Sequence, residues 1–338
     1  MKNKKFMGVL AGILLCAAIL VGIQHYHQSS SPEPITKTDF LLNTVITITI
    51  YDSQNTNLLQ ECMDLIQEYE NQLSRTIETS EIAQFNAGTL ADEGGITHLS
   101  ASTAKLLEKG LYYAALSDGA FDPTIGSVSS LWDFTAETPT VPDDALIQKG
   151  LETVGYETIS LQGQELTSSI EGIQLDLGAI AKGYIADCVK EYLISQGVTS
   201  ATINLGGNVL CIGSKPDGSP FTIGFQKPFS DRNELATTVQ ITDSSVVTSG
   251  TYERYFEQDG VLYHHILDPK TGYPYNNELT SVTILSETSV DGDGLSTTCF
   301  ALGLEKGMEL INELPDTEAL FITKDGTYHY SGNYPVSE

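Results

Sequence analysis

The sequence predicts an α+β protein, one domain over 38–338 of mixed, largely antiparallel sheets with helices packed on them. Three observations carry that reading. Thr44 to Tyr51 (TVITITIY) is a β-branched alternating strand that leads straight into a helix-period stretch. The chain beyond Asn208 is mostly short strands, with Asp259-Gly260 as a hairpin turn signal. Between Thr38 and Glu338 there is neither an internal repeat nor an interdomain linker. The 338 residues, 41% hydrophobic, have ample core to bury without disulfides.

Taken in order, Lys2, Lys4 and Lys5 precede an uncharged run from Phe6 to Ile23. A basic flank and an apolar run of that length make 1–27 an export signal, cleaved or retained as a membrane anchor, with the remainder outside the cytoplasm. Cys16 invites a lipoprotein reading, but Leu15 stands where a small residue is normally wanted, so anchor, lipid and plain secretion all stay open. Residues 28–37, with three Ser and two Pro, read as a linker. A helix is predicted from Asn55 to Ser74, with Leu58, Leu59, Cys62, Leu65, Ile66, Tyr69 and Leu73 on its core face. A short helix capped by Ser80 follows, then one from Ser100 to Leu116, stopped by Asp118 and Gly119.

The next stretch, GAFDPTIGSVSSLWDF, holds the single tryptophan, Trp132. It reads equally as a pocket-lining loop and as an ordinary buried turn. Asp143 to Val154 looks helical, and Thr158 to Leu177 looks like a hairpin. From Leu175 to Asn208 the chain reads as a turn in which Gly178 and Gly183 bracket Lys182, then a helix stopped by Gly197, a strand, and a second Gly turn. Such a turn suits an anion at free N–H groups. Strands are predicted at Val209 to Gly213, Phe221 to Phe225, Thr237 to Ile241, Tyr255 to Glu257, Tyr263 to Leu267 and Thr280 to Leu285. Two helices, near Asp293 to Leu302 and Glu305 to Leu314, precede a last hairpin, Leu320 to Thr323 with Thr327 to Tyr330.

A net charge of -27 argues against nucleic acid or an anionic membrane surface as the main partner. If the ligand is a phosphate, something local must hold it, and a divalent cation is the obvious candidate. The five cysteines form no C-x-x-C pair and have no histidine at ligand spacing, which removes zinc and iron–sulfur readings and leaves buried free thiols. Phosphate-loop, dinucleotide, nucleophile-elbow and zincin signatures are absent. The run DGDGLSTT from Asp291 lacks the later ligands of an EF-hand.

Three constellations remain: the Asp176 to Lys182 turn, the stretch HHILDPKTGYP from His264 to Pro274, and Asp293 with Thr297 at i and i+4, where carboxylate and hydroxyl share a helix face and suit Mg²⁺. Each also has a plain structural reading, with His265 half-buried, Asp293 an N-cap and Thr297 bonded to its own backbone.

Together and in this order, seven motifs resemble the ApbE family of flavin transferases. They are SEIAQFN (Ser80 to Asn86), GAFDPTIG (Gly119 to Gly126) with Leu131-Trp132, LDLGAIAKGY (Leu175 to Tyr184), INLGGN (Ile203 to Asn208), TSGTYERYF (Thr248 to Phe256), HILDPKTGYP (His265 to Pro274) and DGLSTTCFALG (Asp293 to Gly303). The resemblance covers Thr38 to about Gly307 and implies a single ApbE-like, T-fold-related catalytic domain. It implies FAD contacts at Ala120, Phe121, Asp122, Asp176, Lys182 and Leu267, Mg²⁺ held by Asp293, Thr297 and the Ala179 carbonyl, and His265 as base. The chain departs from the family's pattern at Leu42-Asn43, Thr76 and Thr251.

The implied reaction moves FMN from FAD to a Thr or Ser of an acceptor protein, such as an electron-transfer flavoprotein subunit, at the extracytoplasmic face of a bacterial membrane. His265 takes the hydroxyl proton, the oxygen attacks the FMN-side phosphorus, and AMP leaves. Two alternatives share the site: a Mg²⁺-dependent FAD pyrophosphatase with water as acceptor, and a non-catalytic anchored flavin binder.

Overall fold

The structure, a computed structural model, describes residues 33–90, 94–230 and 234–335. The expected signal or anchor at 1–27 and Cys16 lie outside them. Among the described residues no helix is long and apolar enough to cross a membrane. The elements run β1 (Ile35–Leu41), β2 (Thr44–Ile50), α1 (Asn57–Leu73), α2 (Glu81–Asn86), β3 (Thr97–His98), α3 (Ala101–Leu116), α4 (Gly126–Ser129), α5 (Asp144–Leu151), β4 (Ile159–Gln162), β5 (Glu165–Ser168), α6 (Gly178–Ser195), β6 (Ala201–Leu205), β7 (Asn208–Ile212), β8 (Phe221–Gln226), β9 (Leu235–Ile241), β10 (Ser245–Gly250), β11 (Tyr255–Gln258), β12 (Val261–His264), β13 (Leu279–Ser286), α7 (Ser289–Glu313), β14 (Glu318–Thr323) and β15 (Tyr328–Tyr330).

One eight-stranded sheet, in the order β1-β2-β6-β7-β10-β13-β14-β15, carries the molecule, and its ladders are antiparallel. The period of two along each strand sends alternate side chains to two cores. Leu210, Ile212, Val282, Ile284 and Phe321 join the large core shared with α1, α3, α6 and α7. Cys211, Val246, Leu285, Leu320 and Ile322 face the other way, onto Phe221, Phe225, Val239 and Ile241 of the β8–β9 hairpin. β13, covered on both faces, is buried at every position.

Local signals hold where they are strong. Ser80 and Ser100 cap α2 and α3 by accepting from the amides of Ala83 (3.0 Å) and Thr103 (3.3 Å). Asp118 and Gly119 end α3 with φ of 52° and 73°. Asp259 and Gly260 close the β11–β12 hairpin, both at positive φ. Of the four described cysteines, Cys62, Cys211 and Cys299 are buried free thiols and Cys188 is half-buried.

Four boundaries differ from expectation. The linker ends sooner, because Ile35, Thr36 and Lys37 pair with β2, and hydroxyl contacts such as Thr36 with Thr49 give a polar strand no apolar signature to read. β10 was not expected; its sequence SVVTSG becomes a strand because β7 and β13 offer it edges on both sides. Gly183 lies inside α6, which already begins at Gly178. α7 begins at Ser289, four residues ahead of Asp293, and breaks at Gly303 (φ 80°, ψ 176°), so the two expected helices run on as one kinked element.

Candidate active site

The site forms where α6 and α7 cross. Glycines let α7 be approached from two helices: a Cβ on Gly183 of α6 would fall 2.2 Å from the Ser289 carbonyl oxygen, and one on Gly294 of α7 would fall 2.1 Å from the ring of Tyr113 on α3. The DGDG run therefore serves close approach. Asp187, one turn after Gly183, accepts from the Ser289 and Val290 amides at 2.8 and 2.9 Å, so α6 caps α7. Burial pushes its carboxyl up to about 6 against the pull of those two bonds.

That approach brings Asp293 onto the backbone of α6. Its Oδ2 accepts from the Gly183 amide at 2.5 Å and its Oδ1 from Asn208 Nδ2 at 3.0 Å. The side chain is only 4% exposed, and burial raises its carboxyl above the usual range despite Lys182 and the two hydrogen bonds. Thr297 lies one turn on along α7, half-buried, with its hydroxyl 3.3 Å from Ser249 Oγ. Ala179, exposed in the first turn of α6, precedes Gly183 by four residues, so its carbonyl is the regular helical partner of the amide that meets Asp293.

Carboxylate, hydroxyl and carbonyl are all hard oxygen donors, and a buried carboxylate with a raised pKa is short of positive charge. The set fits Mg²⁺. Among the described residues no three of His, Cys, Asp and Glu gather at one point, so a cation here would draw the rest of its shell from water and phosphate.

Lys182, half-buried on α6, is the common electrostatic neighbour of Asp293, His265 and Glu253. His265 stands just past the end of β12, not inside a strand reaching Leu267, and its amide donates to the Arg254 carbonyl at 3.1 Å. Its Nδ1 is buried without a hydrogen-bond partner. Burial first, then the charge of Arg254, drives its pKa down to about 3, so the ring is neutral at physiological pH. The adjacent His264 is different: Nδ1 accepts from the Ile266 amide at 3.3 Å and Nε2 bonds the Tyr275 carbonyl at 2.9 Å. Glu253 is exposed at its surface, and desolvation by the surrounding protein raises its carboxyl above the usual range.

Asp176 anchors the start of α6. Oδ1 accepts from the Gly178 amide (2.9 Å), and Oδ2 from Ser129 Oγ (2.7 Å) and Arg75 Nε (3.1 Å). Asn86 grips the backbone just before it, accepting from the Leu175 amide and donating to its carbonyl at 2.7 and 2.8 Å. The Ala120 carbonyl accepts from Tyr275 at 2.9 Å, on the wall of a cavity of about 340 Å³ that Asp268, Lys270 and Lys306 also line.

Three expected contacts have side chains turned into the fold. Phe121 packs edge-on against Tyr113 at 6.0 Å. Asp122 accepts from the Thr124 amide (2.8 Å) and hydroxyl (2.6 Å) and the Tyr156 amide (2.9 Å). Leu267 joins the cluster around Trp132, whose Nε1 donates to the Gly272 carbonyl at 3.0 Å. Trp132 itself is a core residue, 2% exposed. Part of the backbone of Phe121 and Asp122 is engaged as well, since the Phe121 amide donates to Ser117 Oγ at 2.9 Å and the Asp122 carbonyl accepts from the Ile125 amide at 3.4 Å.

Sequence reasoning passed over Asn208, Asp187, Arg75 and Glu253. Asn208 and Glu253 lie in motifs that were singled out, yet neither shows its partner in the chain order. The only signal for Asn208 was a polar residue opening an otherwise apolar strand, NVLCI.

Comparison with known proteins places the chain in a family. The sequence model of the ApbE family matches residues 42–321. A FAD:protein FMN transferase of Klebsiella pneumoniae is 41% identical over 84% of this chain and 88% of its own length. One of Treponema pallidum is 34% identical over 93% and 91%. Among solved structures, the flavin transferase ApbE of Vibrio cholerae superposes with a TM-score of 0.79 at 30% identity, covering 89% of this chain and 98% of that one. The ApbE protein of Thermotoga maritima reaches 0.81, also at 30% identity, over 90% and 100%.

Proposed function

The chain belongs to the ApbE family and is an enzyme of flavin transfer, and we propose that it moves FMN from FAD to a Thr or Ser hydroxyl of an acceptor protein with release of AMP. The observation that carries the reading is a neutral imidazole with an unpartnered nitrogen, His265, sharing the neighbour Lys182 with the buried carboxylate Asp293. A pure flavin binder has no need of a base beside an anion seat.

The molecule is acidic overall, so FAD's pyrophosphate has to be met locally. Lys182 and the exposed first turn of α6 supply positive charge and amide dipole. Ala120, Phe121, Asp122, Asp176 and Leu267 are the remaining substrate contacts in this reading. Asp293, Thr297 and the Ala179 carbonyl would hold Mg²⁺, which when bound supplies positive charge to the transferring phosphoryl group. His265 accepts the proton of the acceptor hydroxyl. The freed oxygen bonds to the FMN-side phosphorus as the bond to the AMP oxygen breaks, and AMP departs with that electron pair. The acceptor is a flavoprotein of the electron-transfer type, met at the extracytoplasmic face of a bacterial membrane to which 1–27 or a lipid ties the enzyme.

The test incubates the full-length chain with FAD, MgCl₂ and a candidate acceptor, then reads flavin fluorescence on a denaturing gel. Fluorescence on the acceptor is the expected result. Free FMN and AMP with an unlabelled acceptor would make water the acceptor instead, and unchanged FAD would sink the enzymatic reading of this site.

A further inference from the structure

Asn208 opens β7 and is 1% exposed. A primary amide buried that deeply is costly unless its groups are met, and here they are met by two residues of one helix. Oδ1 accepts from Ser289 Oγ at 2.7 Å, and Nδ2 donates to Asp293 Oδ1 at 3.0 Å. One planar side chain on the sheet thus grips α7 at its first residue and again one turn later. The other Asp293 oxygen is held by the Gly183 amide from the opposite side. With one donor on each oxygen, the carboxylate cannot turn about its Cβ–Cγ bond without losing a bond. Each oxygen still keeps a lone pair.

We propose that Asn208 is a positioning residue, which through its Nδ2–H holds the Asp293 carboxylate in the orientation that receives the cation. This rests on the reading of Asp293 as a cation ligand. Outer groups that orient a ligating carboxylate commonly carry part of the metal affinity. The bond from Ser289 is the internal control. It buries a comparable hydrogen bond on the same amide, but lies on the side away from Asp293. A merely structural Asn208 makes the two bonds equivalent, whereas a positioning Asn208 makes only one of them matter to the metal.

The experiment measures Mn²⁺ binding to the full-length chain in the presence of FAD, by the loss of the free-ion electron paramagnetic resonance signal, alongside thermal unfolding. Asn208→Leu is expected to weaken Mn²⁺ about 10- to 100-fold, and Ser289→Ala less than about threefold, at similar cost in stability. FAD affinity without metal stays at the wild-type level in both. If Asn208→Leu does not fold, Asn208→Ser, too short to span both partners, replaces it with the same expectation. Equal weakening by the two substitutions, or Mn²⁺ binding by the Asn208 variant as tight as wild type, overturns the proposal. Wild-type protein that binds no Mn²⁺ removes the Asp293 reading, and the proposal with it.

Discussion

The two parts of the site, around Asp293 and around His265, are built on opposite principles. On one side α6 presses onto the start of α7 at Gly183, and Asp293 ends up buried with a donor on each oxygen. On the other, the chain leaves β12 and sets His265 down with a ring nitrogen that nothing in the protein meets. A charged ligand has to be fixed in direction and shielded from rearrangement. A base has to keep a lone pair free. The neighbouring histidines make the second point within two residues, since His264 is bonded at both nitrogens and His265 is left open at Nδ1.

Substitutions on the two sides should break differently. Asp293→Ala removes the charge at the cation seat, and the gel assay should show FMN transfer falling by about 10³-fold or more. Transfer at the wild-type rate with Mg²⁺ limiting would refute the metal assignment. His265→Ala should slow transfer by about 10²-fold or more while FAD affinity, followed by flavin fluorescence, stays unchanged. A large loss of FAD binding would turn His265 into a binding residue and dissolve the contrast.

Gly183→Ala acts on the packing that creates the rigid side. A methyl group there meets the Ser289 backbone, which cannot swing aside as a side chain would. We expect a loss of about 2–3 kcal/mol, read as a lower midpoint in thermal unfolding. An unchanged midpoint would mean that the helices part easily and that the rigidity of this side is overstated.

The smallest effect is an absence. His265, lowered from 6.5 to about 3 chiefly by burial, is already deprotonated in the free enzyme throughout the physiological range. kcat/KM should therefore show no falling acid limb from this base between about pH 5 and 8. A limb centred near 6.5 would place His265 in open solvent. Stability has the matching sign. For His264, with a folded pKa of about 4, and His265, the neutral form is the one the fold accepts. Their contribution is present above 6.5 and is lost as pH falls through the folded values. Asp187, raised to about 6, works the other way, contributing more as pH falls below that value.

Much of the fold was legible because its signals are local. Ser80, Asp118-Gly119 and Asp259-Gly260 act on backbone within a few residues of themselves, and each acts as read. β1 and β10 were not legible as strands, because their pairing comes from partners elsewhere in the sheet. The site divides in the same way. Lys182, His265, Asp293 and Thr297 could be singled out by residue type and motif. That Phe121 and Asp122 spend their side chains on Tyr113, Thr124 and Tyr156 could not be read, since a motif does not say which way a side chain turns.

By itself, the sequence determined the α+β class, most of the order of elements, and the family to which the chain belongs. Only the tertiary structure decided that Gly183 and Gly294 are there for contact, that Asn208 and the Gly183 amide together orient Asp293, and that Asp187 caps the helix bearing it. The reason is one of range. Caps, turns and periodicity are set within a few residues, whereas hydrogen bonds spanning the 85 positions from Asn208 and the 110 from Gly183 to Asp293 exist only once the sheet and the two helices have closed on each other.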